Sequence, residues 1–246
     1  MPGQLVCRPE QELPVAVLRV VGVLDLVTGP ALRRAVRRCL CAQPEALLID
    51  VAELDIDEPK ALDELTSVVH QNAEWPAVPI VLCSAGPDTT ERLTESPVHG
   101  EVGMADSCEE ALALATAEPH RHRVRIRLRP VPDACRQARA VVSRAVAAWH
   151  LGDLTATASL VATELVANVV RHAHTTMEFT MALTDGRISL AVRDGSTLLP
   201  RPAEPGVTDA GGRGLRLVRE LTDAWGVLPV SDGKVVWTTL RSGAPG

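Results

Sequence analysis

The chain has 246 residues, 46% of them hydrophobic and 23% charged, with a net charge of −6. That length accommodates two modest domains of ~100–200 residues each, and the balance is that of an ordinary globular protein rather than a disordered or fibrous one. The acidic net charge gives a nucleic acid no general electrostatic attraction, so none is expected as a direct partner.

The N-terminal stretch MPGQLVCRPEQEL lacks the basic-then-apolar order of a secretory signal, and no apolar run approaches the ~18 residues of a membrane span. The expectation is a cytoplasmic protein with no membrane partner. Cys7, Cys39, Cys41, Cys83, Cys108 and Cys135 are scattered with no CxxC pair, which suits free thiols in a reducing compartment. His120 with His122, and His172 with His174, lack the spacing of a zinc motif and are read as structural or surface residues. The basic residues are almost all Arg; Lys60 and Lys234 are the only lysines.

In chain order, 15–25 is a strand-like apolar run, and 29–42 carries Leu32, Val36, Cys39 and Leu40 at helical spacing. Residues 46–54 form a short apolar strand ending in acidic residues. Residues 61–75 are an amphipathic helix with Leu62, Leu65, Val69 and Ala73 on one side. A buried-type strand over 78–86 and a helix over 108–117 complete an alternation that predicts helices packed on a sheet. Residues 118–123 read as a linker between a domain at 1–117 and a domain at 124–246. Beyond it, Arg123, Arg125, Arg127 and Arg129 alternate with Val124, Ile126 and Leu128. Period-two alternation predicts a half-buried strand with a solvated Arg face rather than a nucleic-acid stripe. Helices follow at 132–150 and 154–173. A strand–turn–strand spans 177–196, a Pro-rich loop 197–211, a helix 214–225 and a closing hairpin 228–241. The fold class expected is α/β for the first domain and an α+β two-layer sandwich for the second.

The chemistry concentrates in the second half. Residues 164–173, ELVANVVRHA, set Glu164, Asn168 and His172 four apart, on one face of a helix. Polar groups on an apolar helix cost about 1–3 kcal/mol each when buried without partners, so this face is expected to meet a ligand or a polar network. A carboxylate and an amide oxygen one turn apart suit a hard cation and its waters, and the carboxylate can also act as a general base. Taken alone, the same stripe is more readily read as a solvent-facing edge, common on any amphipathic helix. Asp194, before Gly195 at the end of an apolar strand, offers an acceptor for an exocyclic amine such as adenine's. Gly211, Gly212 and Gly214 open a helix, where bare backbone and a helix N-terminus suit a phosphate, with Arg213 able to add charge.

In this order and spacing, residues 124–241 resemble the GHKL (Bergerat-fold) ATPases, and most closely the anti-sigma factor/serine-protein kinase branch. ELVANVVRHA is similar to that family's N box, VRDGS to its first glycine box, and GGRGLRLVRELTDAWG to its second. The resemblance implies ATP and Mg²⁺ as cofactors, Glu164 as the general base, and Asn168 as the Mg²⁺ ligand. It also implies Asp194 and Gly195 at the adenine end, and Gly211, Gly212, Arg213, Gly214 and Leu215 around the phosphates. His172 matches a position often His in this branch, with no step assigned. The chain departs from the family pattern D-x-G-x-G, because Ser196 and Leu198 fill two glycine positions. The loop 197–211 is expected to act as an ATP lid.

Residues 13–117 resemble a STAS domain, the anti-sigma factor antagonist fold, through LLIDVAELDIDEPKALDEL. Where that family carries its phosphoacceptor serine, this chain reads Glu58-Pro59-Lys60-Ala61, with no hydroxyl. Asp57 or Glu58 is expected to cap the following helix, with Pro59 in its first turn. Two functional readings follow. One is an ATP-binding anti-sigma factor-type regulator with serine-kinase activity toward a separate STAS antagonist, partnered by a sigma factor or that antagonist and open to homodimerisation as in its branch. The other is an inactive nucleotide-binding or interaction-only regulator that uses both degenerate domains as protein-binding surfaces. A sensor histidine kinase is disfavoured for want of a transmembrane segment and a phosphoacceptor-His helix.

Overall fold

The computed structural model describes residues 4–11, 14–76, 78–116, 122–184, 186–200, 213–230 and 232–241. The chain divides into two compact units, Met1–Pro119 and His120–Gly246.

In the first unit, β1 (Leu5–Gln11), β2 (Ala16–Leu24), β3 (Leu47–Ile56), β4 (Ile80–Cys83) and β5 (Gly103–Ala105) form one sheet in that spatial order. β1 pairs antiparallel with β2, and every later pair is parallel. Helices α1 (Gly29–Cys41), α2 (Asp63–Glu74), α3 (Pro87–Thr94) and α4 (Cys108–Thr116) connect and cover the strands. The run from Leu47 to Val51 is buried throughout, as expected where a parallel strand is covered on both faces. Leu47, Ile49 and Val51 join Leu32, Val36 and Leu40 of α1 and Leu65 and Val69 of α2 in one core. Leu48 lies in a second core with Val81, Cys83 and Ala111 of α4. The expected strands at 15–25, 46–54 and 78–86 and helices at 29–42, 61–75 and 108–117 all have counterparts here.

Three elements escaped the sequence reading. β1 is an edge strand interrupted by Pro9, where the register shifts, α3 is a short Pro-initiated helix, and β5 has three residues. The expected cap also differs. Glu58 precedes a 3₁₀ turn over Pro59–Leu62 without a side-chain capping bond. Its carboxylate instead accepts a hydrogen bond from the Leu26 backbone N–H at 2.8 Å.

In the second unit, β6 (His122–Leu128), β7 (Met177–Thr184), β8 (Arg187–Asp194), β9 (Ala224–Val230) and β10 (Gly233–Arg241) form an antiparallel sheet in the order β6-β7-β8-β10-β9. Met177, Phe179 and Met181 of β7 and Ile188, Leu190 and Val192 of β8 share one core with the helices. The helical side of that core comes from α5 (Asp133–Ala148), α6 (Thr155–Asn168) and α7 (Arg213–Leu221), including Val142, Val146, Val161, Leu165 and Val218. This is a two-layer α/β sandwich. β6 is an edge strand whose Val124 and Ile126 pack on the core while its arginines face outward, Arg125 lying 3.6 Å from Glu178. Charges along an edge discourage pairing with another chain.

Two expectations about helices change. The helix read over 154–173 is α-helical only to Asn168, and Val169–Ala173 form a π-helical turn closed by the His174 N–H on the Val169 carbonyl at 2.9 Å. The stretch Gly152–Ala173, 22 residues, is by length and composition apolar enough to cross a membrane, contrary to the sequence reading. Its apolar content has a local reason, because Val161, Ala162, Leu165 and Val166 are buried in the core of this unit. The helix read over 214–225 stops at Leu221, since Ala224 and Trp225 pair with Thr239 and Thr238 of β10.

Candidate functional site

Glu164 and Asn168 lie one turn apart at the C-terminal end of α6 and are both half-buried. His172 does not continue their line. The widened π turn carries it to an exposed position, so the three-residue polar stripe is a two-residue one in the fold. π turns of this kind concentrate where a helix serves a site rather than a core.

Helix α7 packs against α6. A Cβ on Gly214 would lie 2.4 Å from Glu164 Oε2 and 3.3 Å from Glu164 Cδ. A side chain there would have to displace the Glu164 carboxylate, which rests against the first turn of α7. Leu215 is buried behind it, with 6% exposure. The backbone of Arg213 begins the helix, while Gly211 and Gly212 lie outside the described residues, as does the lid segment from 201 onward. Of the lid, 197–200 is described and has no regular structure; Leu198 and Leu199 are exposed there.

The end of β8 reaches the same region through Thr175, which follows the π turn and accepts a hydrogen bond from the Gly195 N–H at 3.0 Å. Asp194, the last residue of β8, is buried. Its Oδ1 accepts from the Ser196 N–H at 2.8 Å and from Lys234 Nζ at 2.9 Å. Lys234 also donates to the Ser196 carbonyl at 3.1 Å. Ser196 Oγ, at a position the family pattern gives to glycine, accepts from the Leu198 N–H at 3.3 Å. The serine that stands in place of glycine at 196 therefore adds a hydrogen bond to this turn.

Lys234 and Gly233 are the residues the sequence reading missed. Lys234 stands directly opposite Asp194 in the β8–β10 register. Gly233, with φ +156°, lets β10 approach so closely that a Cβ would sit 1.8 Å from the Asp194 carbonyl oxygen. One signal was available, since this is one of only two lysines in the chain and it follows an Asp-Gly turn.

The fold thus sets Gly214 against Glu164, one turn from Asn168, ties Gly195 to Thr175 just after the π turn that ends this helix, and pairs Asp194 with Lys234. The donor set fits a nucleotide with Mg²⁺. A half-buried carboxylate and amide one turn apart present hard oxygen ligands, and Gly214 leaves the helix start free of side chain.

A separate cluster lies in the first unit. Among the described residues, Asp50, Cys83 and Cys108 are a group whose ligand atoms converge as a metal site requires, all within 4.8 Å. Asp50 is already held by Arg19 Nε at 3.1 Å, and the Cys83 and Cys108 sulfurs are 2.7 Å apart. Burial, and next the Cys108 thiol, push the Cys83 thiol up to about 12.

No curated protein matches the chain. Among solved structures, an anti-sigma factor antagonist from Mycobacterium paratuberculosis is 21% identical, over 46% of this chain and 94% of that one, with a TM-score of 0.40. The RsbU and RsbW domains of a Mycobacterium tuberculosis protein are 21% identical, over 51% of this chain and 34% of that one, with a TM-score of 0.40. An anti-sigma-factor antagonist (STAS) domain protein from Planctomyces limnophilus is 19% identical, over 45% of this chain and 97% of that one, with a TM-score of 0.36. Residues 128–240 match the family described as histidine kinase-like ATPase domain. That span takes in most of the second unit, and the second unit accordingly carries a histidine kinase-like ATPase domain.

Proposed function

We propose that the chain is an ATP-binding regulator of the anti-sigma factor type, with serine-kinase activity toward a separate STAS antagonist in a cytoplasmic partner-switching circuit. The observation that carries this reading is the packing of the Glu164 carboxylate against the side-chain-free start of α7 at Gly214. A general base and a helix N-terminus are thereby held within one site, which is what phosphoryl transfer from a nucleotide requires. Glu164 would take the proton from the attacking serine hydroxyl of the partner. Asn168 would hold Mg²⁺, and the bound ion would supply charge neutralisation to the transfer. Arg213 and the glycines before Gly214 would contact phosphate, and Asp194 would accept from the adenine amine.

The second reading, an interaction-only regulator, is favoured by one observation: an internal lysine already engages Asp194. Calorimetry of ATP binding with and without Mg²⁺, on wild type and Asn168→Ala, separates the two. The kinase reading expects binding by wild type and loss of its Mg²⁺ dependence in the variant. Glu164→Ala should keep ATP and lose transfer to a supplied STAS partner. A wild-type chain that binds no nucleotide leaves the interaction-only reading in its place.

A further inference from the structure

We infer that Lys234 is a second reader of the nucleobase, donating a hydrogen bond beside the acceptor that Asp194 supplies. The inference rests on the nucleotide-binding reading above. Lys234 and Asp194 face each other across β8 and β10, with side chains only 8% and 2% exposed. A buried ion pair is seldom more stabilising than apolar residues of the same volume, so stability alone is a weak reason to keep one. This chain uses lysine at only two positions, and one of them is buried here.

The pair retains unused hydrogen-bonding capacity. Asp194 Oδ1 accepts twice, from Lys234 Nζ and from the Ser196 N–H. Its second oxygen has no hydrogen-bond donor among the described residues. An ammonium has three donors, and two of those on Lys234 are spent, on Asp194 Oδ1 and the Ser196 carbonyl. One acceptor and one donor thus remain side by side. Gly195 follows Asp194 and Gly233 precedes Lys234, and neither brings a side chain beside them. A 6-aminopurine presents the complement on its Watson–Crick edge, with an exocyclic N–H donor next to the N1 acceptor. Asp194 Oδ2 accepts from the amine and Lys234 Nζ donates to N1. Because the pair as a whole is neutral, it meets a neutral base without leaving an uncompensated charge. Lys234 is then a specificity-determining residue, and the Asp194–Lys234 bond is part of the base site rather than a block across it.

The test is calorimetry on the full chain with Mg²⁺, using ATP, the triphosphate of 1-deazaadenosine, which lacks the N1 acceptor, and GTP. Wild type should bind ATP about tenfold or more tightly than the deaza analogue, the range of a hydrogen bond to a charged group, and more tightly than GTP. Lys234→Met, confirmed folded by circular dichroism, should bind ATP and the deaza analogue equally. Where that variant does not fold, the double variant Asp194→Asn/Lys234→Met, which removes both charges together, gives the same comparison. Equal binding of ATP and the deaza analogue by wild type overturns the inference and leaves nucleotide binding intact. So does discrimination that survives the loss of Lys234, or preference for GTP. No nucleotide binding at all overturns both readings.

Discussion

Gly214 lies directly against the Glu164 carboxylate, so a Cβ at position 214 would stand 2.4 Å from Glu164 Oε2. The atom it meets is the free end of a flexible side chain, so the clash is relieved by moving the carboxylate rather than the helix. Gly214→Ala should therefore leave the fold intact, and replacing glycine in a helix gains up to about 1 kcal/mol. The displaced carboxylate is the proposed base, and transfer to a STAS partner should fall by about 100-fold, the lower range of a positioned general base. Urea unfolding and a phosphoryl-transfer assay on the same preparation read the two effects. Unchanged transfer with an unchanged fold would remove Glu164 from the base role.

Much of this was legible in the sequence because it lies in local patterns. The period-two run in β6, the apolar strand β3 and Gly214 in the first turn of α7 each state their structure in a few residues. The Asp194–Lys234 bond was not legible, because it joins residues 40 apart and depends on the β8–β10 register. The π turn after Asn168 was missed for another reason. Helical periodicity in Val169 and Val170 continues through it, and only the hydrogen-bond pattern separates i→i+5 from i→i+4. Edge strand β1 was hidden by Pro9, which weakens any strand pattern.

The buried pair has a stability signature of its own. Removing only the ammonium, as in Lys234→Met, leaves the Asp194 carboxylate uncompensated and should cost about 3–5 kcal/mol. Removing both charges, as in Asp194→Asn/Lys234→Met, should recover more than half of that loss. Urea unfolding of the two single variants and the double completes the cycle. Additive losses would mean that the 2.9 Å contact is not a coupled pair.

Asn72 holds the connection from α2 to β4 in the first unit. It is 7% exposed, its Nδ2 donates to the Val78 carbonyl at 2.7 Å, and its Oδ1 accepts from the Val78 N–H at 3.1 Å. Asn72→Ala leaves both buried backbone groups unsatisfied, each costing about 1–3 kcal/mol. Asn72→Asp retains the acceptor and turns a carboxylate toward the carbonyl, so it should be no milder. Thermal melts should show the transition of the first unit moving down in both variants. A melt unchanged by Asn72→Ala would show that water replaces the side chain at no cost.

Cys83 gives the pH dependence of the first unit a definite sign. It is fully buried, and that burial first, the Cys108 thiol second, raise it from 9.0 to about 12. Between those two values the unfolded chain has lost the Cys83 proton while the folded chain keeps it. The unfolded state then binds fewer protons, so stability falls as pH rises from about 9 toward 12 and is level below that window. The same protonation governs reactivity, since the thiolate is the nucleophile. At pH 8, iodoacetamide should leave Cys83 unmodified in the native chain and label it fully in urea, as read by peptide mass spectrometry. Cys83→Ser should flatten the alkaline loss of stability between pH 9 and 11. Rapid native labelling of Cys83, or an alkaline transition indifferent to its replacement, would contradict the buried neutral thiol.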